Sequence, residues 1–142
     1  MKIYLISVFL LSLANFDFSC GKNKENIAYD VPGLWVGTYT VHQKPQQKPM
    51  YQSFVFKPDG KLIVDGIVPT GETYYSAGRW SLNGNLLTAT YTTINFPDYT
   101  VNQKATFTFS NTGVLRDGTW TDVNNPYGTD YPGNFPTMKR VN

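Results

Sequence analysis

From Val31 onward, apolar and polar residues alternate in short runs, and turn residues separate one run from the next. A period of two is typical of β-strands with one buried face, because successive strand side chains point to opposite sides. The strongest turn signals are Asn83-Gly84-Asn85, which suits a two-residue hairpin, and Pro58-Asp59-Gly60. No run repeats with a helical period, so the pattern predicts an all-β fold.

The runs predict eight strands that are joined mostly by hairpins. Their expected bounds are Gly33–Lys44, Met50–Lys57, Lys61–Val68, Glu72–Leu82, Asn85–Ile94, Val101–Ser110, Val114–Val123 and Asn134–Val141. Eight antiparallel strands in chain order are expected to close into an up-and-down barrel, because closure removes the exposed strand edges. A two-sheet β-sandwich is the alternative, since alternation alone does not determine closure.

The first residues have the layout of a secretory leader. Met1 and Lys2 form a short basic region, and residues 3–14 are apolar over a length that suits a signal peptide. This apolar stretch is well short of the ~20 residues that a membrane-spanning helix needs. Small residues at Ser12 and Ala14 allow ordinary cleavage after Ala14.

The only cysteine offers a second reading of the leader. Cys20 follows the apolar stretch and lies between Ser19 and Gly21. This arrangement resembles the lipobox of bacterial lipoproteins, although Asp17 stands where that family usually carries an aliphatic residue. The resemblance implies that Cys20 is lipidated and becomes the mature N-terminus, which also explains a cysteine with no partner in an oxidising compartment.

The lipobox resemblance divides the chain into three segments. It implies a signal peptide over residues 1–19, a flexible tether over residues 20–31 and a barrel domain over residues 32–142. It also implies export and a lipid anchor in the bacterial cell envelope, and we expect the outer membrane to hold the anchor.

All three tryptophans follow a glycine by two positions, and we expect each glycine to leave room for its indole. The first triplet, Gly33-Leu34-Trp35, opens the first predicted strand and resembles the G-x-W signature of lipocalins and calycin barrels. The resemblance implies that Trp35 packs across one end of the barrel beneath a basic side chain. Arg140 is the candidate for that side chain, and Lys139 is the alternative.

Inward-facing aromatic residues are the candidates for a ligand cavity. They share strand faces with several glycines, which contribute no packing volume of their own. An eight-stranded barrel is either filled by its side chains or holds one small ligand. The sequence does not decide between a filled interior and a ligand cavity. The cavity candidates are Tyr39, Phe54, Tyr74, Tyr91 and Phe107.

The preferred function is a non-enzymatic, lipocalin-like lipoprotein that binds a small apolar or amphipathic ligand inside its barrel. The alternative is a structural or interaction module with a filled barrel that contacts a protein or glycan through its loops. Tyr127 and Tyr131, in a last loop rich in Asn, Gly and Pro, are the candidate loop contacts. No cofactor is expected, and no protein partner can be named.

Charge and residue types argue against other function classes. A net charge of +2 without a cluster of Lys or Arg is not typical of nucleic-acid binding. His42 is the only histidine and has no partner at catalytic or metal-ligand spacing, so neither catalysis nor a metal site is expected. We interpret Asp122 as a solvated turn residue, in preference to a calcium site with Asn124 and Asp130.

Overall fold

The predicted alternation becomes a single antiparallel sheet in the computed structural model, which describes residues 30–95, 100–123, 125 and 131–141. The strands of this described part are β1 (Gly33–Val41), β2 (Met50–Phe56), β3 (Lys61–Ile67), β4 (Thr73–Asn83), β5 (Leu86–Thr93), β6 (Asn102–Phe109), β7 (Val114–Val123), β8 (Gly133–Phe135) and β9 (Met138–Val141). None of the described residues forms a helix long and apolar enough to cross a membrane. The predicted leader and Cys20 lie outside the described residues.

The sheet closes on itself. Neighbouring strands pair in chain order from β1 to β7, and β1 and β7 each pair with both β8 and β9. The fold is therefore an eight-stranded antiparallel up-and-down barrel in which β8 and β9 together occupy the eighth position. This confirms the predicted all-β barrel, and the sandwich alternative is wrong.

The last predicted strand is divided. The sequence predicts one strand from Asn134 to Val141, whereas the structure interrupts it at Pro136 and Thr137. Proline has no N–H to donate to a ladder, which explains the interruption. On the facing strand β1, a Cβ at Gly37 would lie 2.6 Å from the Met138 sulfur. The glycine at this position therefore lets β9 pair with β1 after the interruption.

One end of the barrel is closed by a tryptophan. Trp35 is fully buried, donates its indole N–H to the Val31 carbonyl at 2.8 Å and meets Phe109 edge to face. Arg140 pairs with Trp35 in register, and its guanidinium carbon lies 6.0 Å from the centroid of the indole. Lys139 lies one residue earlier, on the outer face, and is exposed.

Three phenylalanines fill the middle of the barrel. Phe54, Phe107 and Phe135 pack against one another with ring centroids 5.1 to 5.5 Å apart. A Cβ at Gly118 would lie 2.6 Å from Phe135 and 2.9 Å from Phe107, so this glycine admits the phenylalanine cluster. The barrel is therefore solid from its tryptophan-closed end to its middle.

Candidate ligand pocket

Above the phenylalanine cluster, the opposite end of the barrel contains a pocket of about 490 Å³ that opens to solvent. Its wall comes from inward-facing residues at the ends of six strands and from the turn between β3 and β4, and Phe135 contributes to its floor. The volume falls within the ~300–1,000 Å³ that is typical of small-molecule sites. The barrel therefore has one packed end and one open end.

The pocket wall is mainly aromatic and is held by hydrogen bonds. Tyr39 meets Trp120 edge to face with ring centroids 5.8 Å apart. The Tyr39 hydroxyl donates to the Ile67 carbonyl at 3.0 Å, and the Trp120 indole N–H donates to the Thr40 carbonyl at 3.0 Å. Because both polar atoms are already bonded to the backbone, these two side chains present ring surface to the pocket.

Gln52 and Tyr74 form a buried polar pair in the same wall. Gln52 on β2 is only 1% exposed, and its Oε1 accepts a hydrogen bond from the hydroxyl of Tyr74 on β4. The Tyr74 ring crosses the intervening strand at Gly66, where a Cβ would lie 2.7 Å from the ring. Among the described residues, the other amide atom of Gln52, Nε2, has no hydrogen-bond partner.

Asp122 brings a buried carboxylate to the pocket. It is 6% exposed and accepts hydrogen bonds from Gln103 Nε2 at 3.0 Å, Asn125 Nδ2 at 3.1 Å and the Tyr131 N–H at 3.4 Å. The interpretation of Asp122 as a solvated turn residue is therefore wrong. It lies within β7 and shares the inward face with Trp120, because residues two apart on a strand point to the same side.

Three tyrosines of the pocket, Tyr39, Tyr74 and Tyr91, are neutral phenols at physiological pH. Burial raises the pKa of Tyr39 to about 12. Burial also raises the pKa of Tyr74 well above the ordinary value, as does the nearby Tyr91. The pKa of Tyr91 itself is raised by burial and by the adjacent Asp122 carboxylate. Phenols in this state can donate and accept hydrogen bonds but are poor general bases.

The structure brings part of the sequence-predicted set together. The candidates Tyr39, Tyr74 and Tyr91 all line the pocket. Phe54 and Phe107 lie beneath it, because they belong to the phenylalanine cluster that fills the middle of the barrel. Of the two loop candidates, Tyr131 is half-buried in the pocket wall and Tyr127 lies outside the described residues. His42 is exposed.

Sequence reasoning missed the polar members of the wall, and a signal for them was present. Gln52, Gln103 and Asp122 each occupy a position that the alternation assigns to the inward face. All three also lie near the same end of the barrel, because antiparallel neighbours bring the start of one strand beside the end of the next. Polar residues on inward positions at one end of several strands are therefore the feature that indicates this pocket.

The described residues contain no group of His, Cys, Asp and Glu that is placed to hold a metal ion. The calcium alternative involves Asn124 and Asp130, which lie outside the described part of the chain. No protein-family model matches the chain, and no curated protein matches it in sequence. The function is therefore inferred from the pocket and from the residues that line it.

Proposed function

We propose that this protein is an envelope-anchored, non-enzymatic lipocalin-like lipoprotein that binds a small apolar or amphipathic ligand in the open end of its barrel. The pocket of about 490 Å³ is the observation that carries the proposal. Its wall combines aromatic surface with a few buried polar groups, which is the usual composition of a small-molecule site. A barrel filled to both ends would leave no such volume above Phe135.

The closed end supports the lipocalin-like reading. Trp35 on the first strand lies under Arg140 from the last strand, as the G-x-W resemblance implies. A barrel that is packed at this end and open at the other forms a cup, and cup-shaped barrels hold ligands in their mouths.

The chemistry of the wall supports a binding role over catalysis. The phenols of Tyr39, Tyr74 and Tyr91 hold their protons well above neutral pH. Asp122 accepts hydrogen bonds from Gln103, Asn125 and the Tyr131 N–H, an arrangement that orients Gln103 and Tyr131. His42, the only histidine of the sequence, is exposed and is not part of the pocket wall.

The anchor is proposed on the leader and on Cys20. Mass spectrometry of the mature protein tests it, and the expected species begins at Cys20 and carries acyl chains. The variant Cys20→Ala is expected to lose that mass and to leave the membrane fraction. An unmodified chain that begins at Asn15 would contradict the anchor.

Ligand binding is tested on protein purified from its own envelope. Native mass spectrometry is expected to show a non-covalent small molecule that leaves on activation. The variant Val68→Trp, which places a large side chain at the pocket wall, should lose the molecule, whereas Ile67→Trp, on the adjacent outward position, should keep it. Retention by both variants would contradict binding in the pocket, and a stable co-purifying protein without a small molecule would favour the interaction module.

A further inference from the structure

The amide of Gln52 is an unsatisfied donor in the pocket wall. Its Nε2 is buried and has no hydrogen-bond partner among the described residues, although an amide nitrogen carries two hydrogens to donate. Buried polar groups are nearly always paired, so an unpaired buried donor calls for a partner that the described residues do not supply.

Tyr74 determines which amide atom of Gln52 is left unpaired. The Tyr74 hydroxyl donates to Gln52 Oε1, and Nε2 has no partner among the described residues. Gly66 allows the Tyr74 ring to remain in this position, since a Cβ there would meet the ring. The site is therefore built by three strands around one amide.

A second residue that carries a hydroxyl lines the same pocket. Tyr91 also lines the pocket, and no other described residue forms a hydrogen bond with its hydroxyl. Its ring is held edge to face against Phe54, with ring centroids 5.8 Å apart. Gln52 and Tyr91 together offer donors to an accepting oxygen atom.

The charges around the pocket select against an anionic oxygen. The Asp122 carboxylate is buried in the wall, and Glu72 adds a second carboxylate at the exposed mouth. Lys44, the basic residue of the lining, is also exposed at the mouth. A ligand carboxylate near Gln52 would therefore lie in a pocket whose wall already holds a buried negative charge. Such a ligand is disfavoured, because like charges repel strongly where water is excluded.

We propose that the pocket selects an uncharged amphipath, and that its carbonyl or hydroxyl oxygen accepts a hydrogen bond from Gln52 Nε2. This inference rests on the proposed ligand-binding function and adds the chemical class of the ligand. The apolar part of the ligand lies against Tyr39 and Trp120, and free fatty acids in their ionised form bind more weakly than uncharged amphipaths.

Probes with one alkyl chain and different head groups test the selection. The full chain is titrated at neutral pH with decanamide, decanol, decanoate and decane. Binding is followed by calorimetry and by the change in tryptophan fluorescence, to which Trp120 in the pocket wall contributes. Decanamide and decanol are expected to bind roughly tenfold more tightly than decanoate. This ratio is a difference of about 1.4 kcal/mol in binding free energy.

The double variant Gln52→Met/Tyr74→Phe tests the hydrogen bond itself. It removes both members of the buried pair at similar volume, which leaves no new unpaired group and preserves the fold better than either single change. Decanamide affinity is expected to fall roughly five- to tenfold, and decane affinity is expected to stay the same. Ser76→Ala, a polar-to-apolar change at a buried residue that does not line the pocket, is the control and should change decanamide affinity by less than about twofold.

The outcomes separate this inference from the proposed function. Decanoate that binds as tightly as decanamide, or decanamide affinity that survives the double variant, would overturn the inference while ligand binding stands. Wild-type protein that binds none of the probes would overturn both. Thermal unfolding of each variant shows whether a loss of binding reflects a loss of fold.

Discussion

Arg140, near the end of the last strand, lies over Trp35 near the start of the first, with the guanidinium carbon 6.0 Å from the indole centroid. The same guanidinium donates from Nη1 to the Asp30 carbonyl at 2.7 Å and to the Pro32 carbonyl. One side chain therefore joins the incoming chain, the first strand and the last strand at the closed end of the barrel.

Replacing Arg140 should destabilise the barrel. Arg140→Ala removes a cation–π contact and charged hydrogen bonds, so we expect the free energy of unfolding to fall by about 1–3 kcal/mol. Urea unfolding measures this change. Lys139→Ala, at the adjacent exposed position, is the control and should change the free energy of unfolding by less than about 0.5 kcal/mol. Equal effects of the two variants would show that Arg140 does not hold the closed end.

Adding one methyl group at Gly66 should disturb the polar pair of the pocket. The new Cβ of Gly66→Ala would lie 2.7 Å from the Tyr74 ring, so we expect a loss of about 1–3 kcal/mol in the free energy of unfolding from overpacking. The loss should be smaller in a Tyr74→Leu background, because the clashing ring is absent. A double-mutant cycle measures this coupling, and additive losses would contradict the proposed role of Gly66.

Asp122→Asn should change both stability and ligand preference. An asparagine oxygen cannot accept from Gln103, Asn125 and the Tyr131 N–H as a carboxylate does, so we expect a loss of about 1–3 kcal/mol in the free energy of unfolding. The variant should also narrow the difference between decanol and decanoate affinities, because the buried negative charge is gone. Glu72→Gln, at the exposed mouth, should narrow that difference less than Asp122→Asn does, because water and salt screen an exposed charge. An equal effect of the two variants would show that Asp122 does not set the preference.

Alkaline pH should destabilise the protein through its buried phenols. Tyrosine ordinarily ionises near pH 10.0, whereas the pKa of Tyr39 in the fold is about 12 and that of Tyr91 is raised further. Above pH 10.0 the unfolded chain has therefore released protons that the folded protein retains, and the free energy of unfolding falls as the pH rises. These groups have no effect below about pH 9, where both states are protonated.

Denaturant unfolding at a series of alkaline pH values measures this loss, and absorbance of the tyrosinate ion reports which phenols have ionised. Tyr91→Phe removes one of the groups that resist ionisation, so the slope of stability against pH should become shallower in that variant. An unchanged slope would show that Tyr91 ionises as readily in the folded protein as in the unfolded chain.

The barrel was predictable because its signals are short-range. Alternation over a few residues indicates which side chains face inward, and Asn83-Gly84 indicates where two strands meet in a hairpin. Closure followed from the need to pair the strand edges. The division of the last strand at Pro136 was missed, although proline is a local signal and could have indicated it.

The effect of the inward glycines was not predictable, because it depends on which residue the register brings opposite each one. From the sequence alone, we expect them to make room for indoles or to leave a hollow interior. Instead Gly118 admits Phe135, Gly66 admits the Tyr74 ring, and a Cβ at Gly78 would meet the backbone of Tyr91 at 2.6 Å. The pocket is formed by side chains of several strands that meet at the open end of the barrel. The pattern of a single strand does not show which side chains meet there.

The short strands β8 and β9 have a consequence for how the chain reaches this fold. They are three and four residues long, and they complete the wall between β1 and β7. They are also the last of these strands to leave the ribosome, so the preceding seven wait with two unpaired edges. The barrel therefore closes, and Arg140 reaches Trp35, only after β8 and β9 have been synthesised.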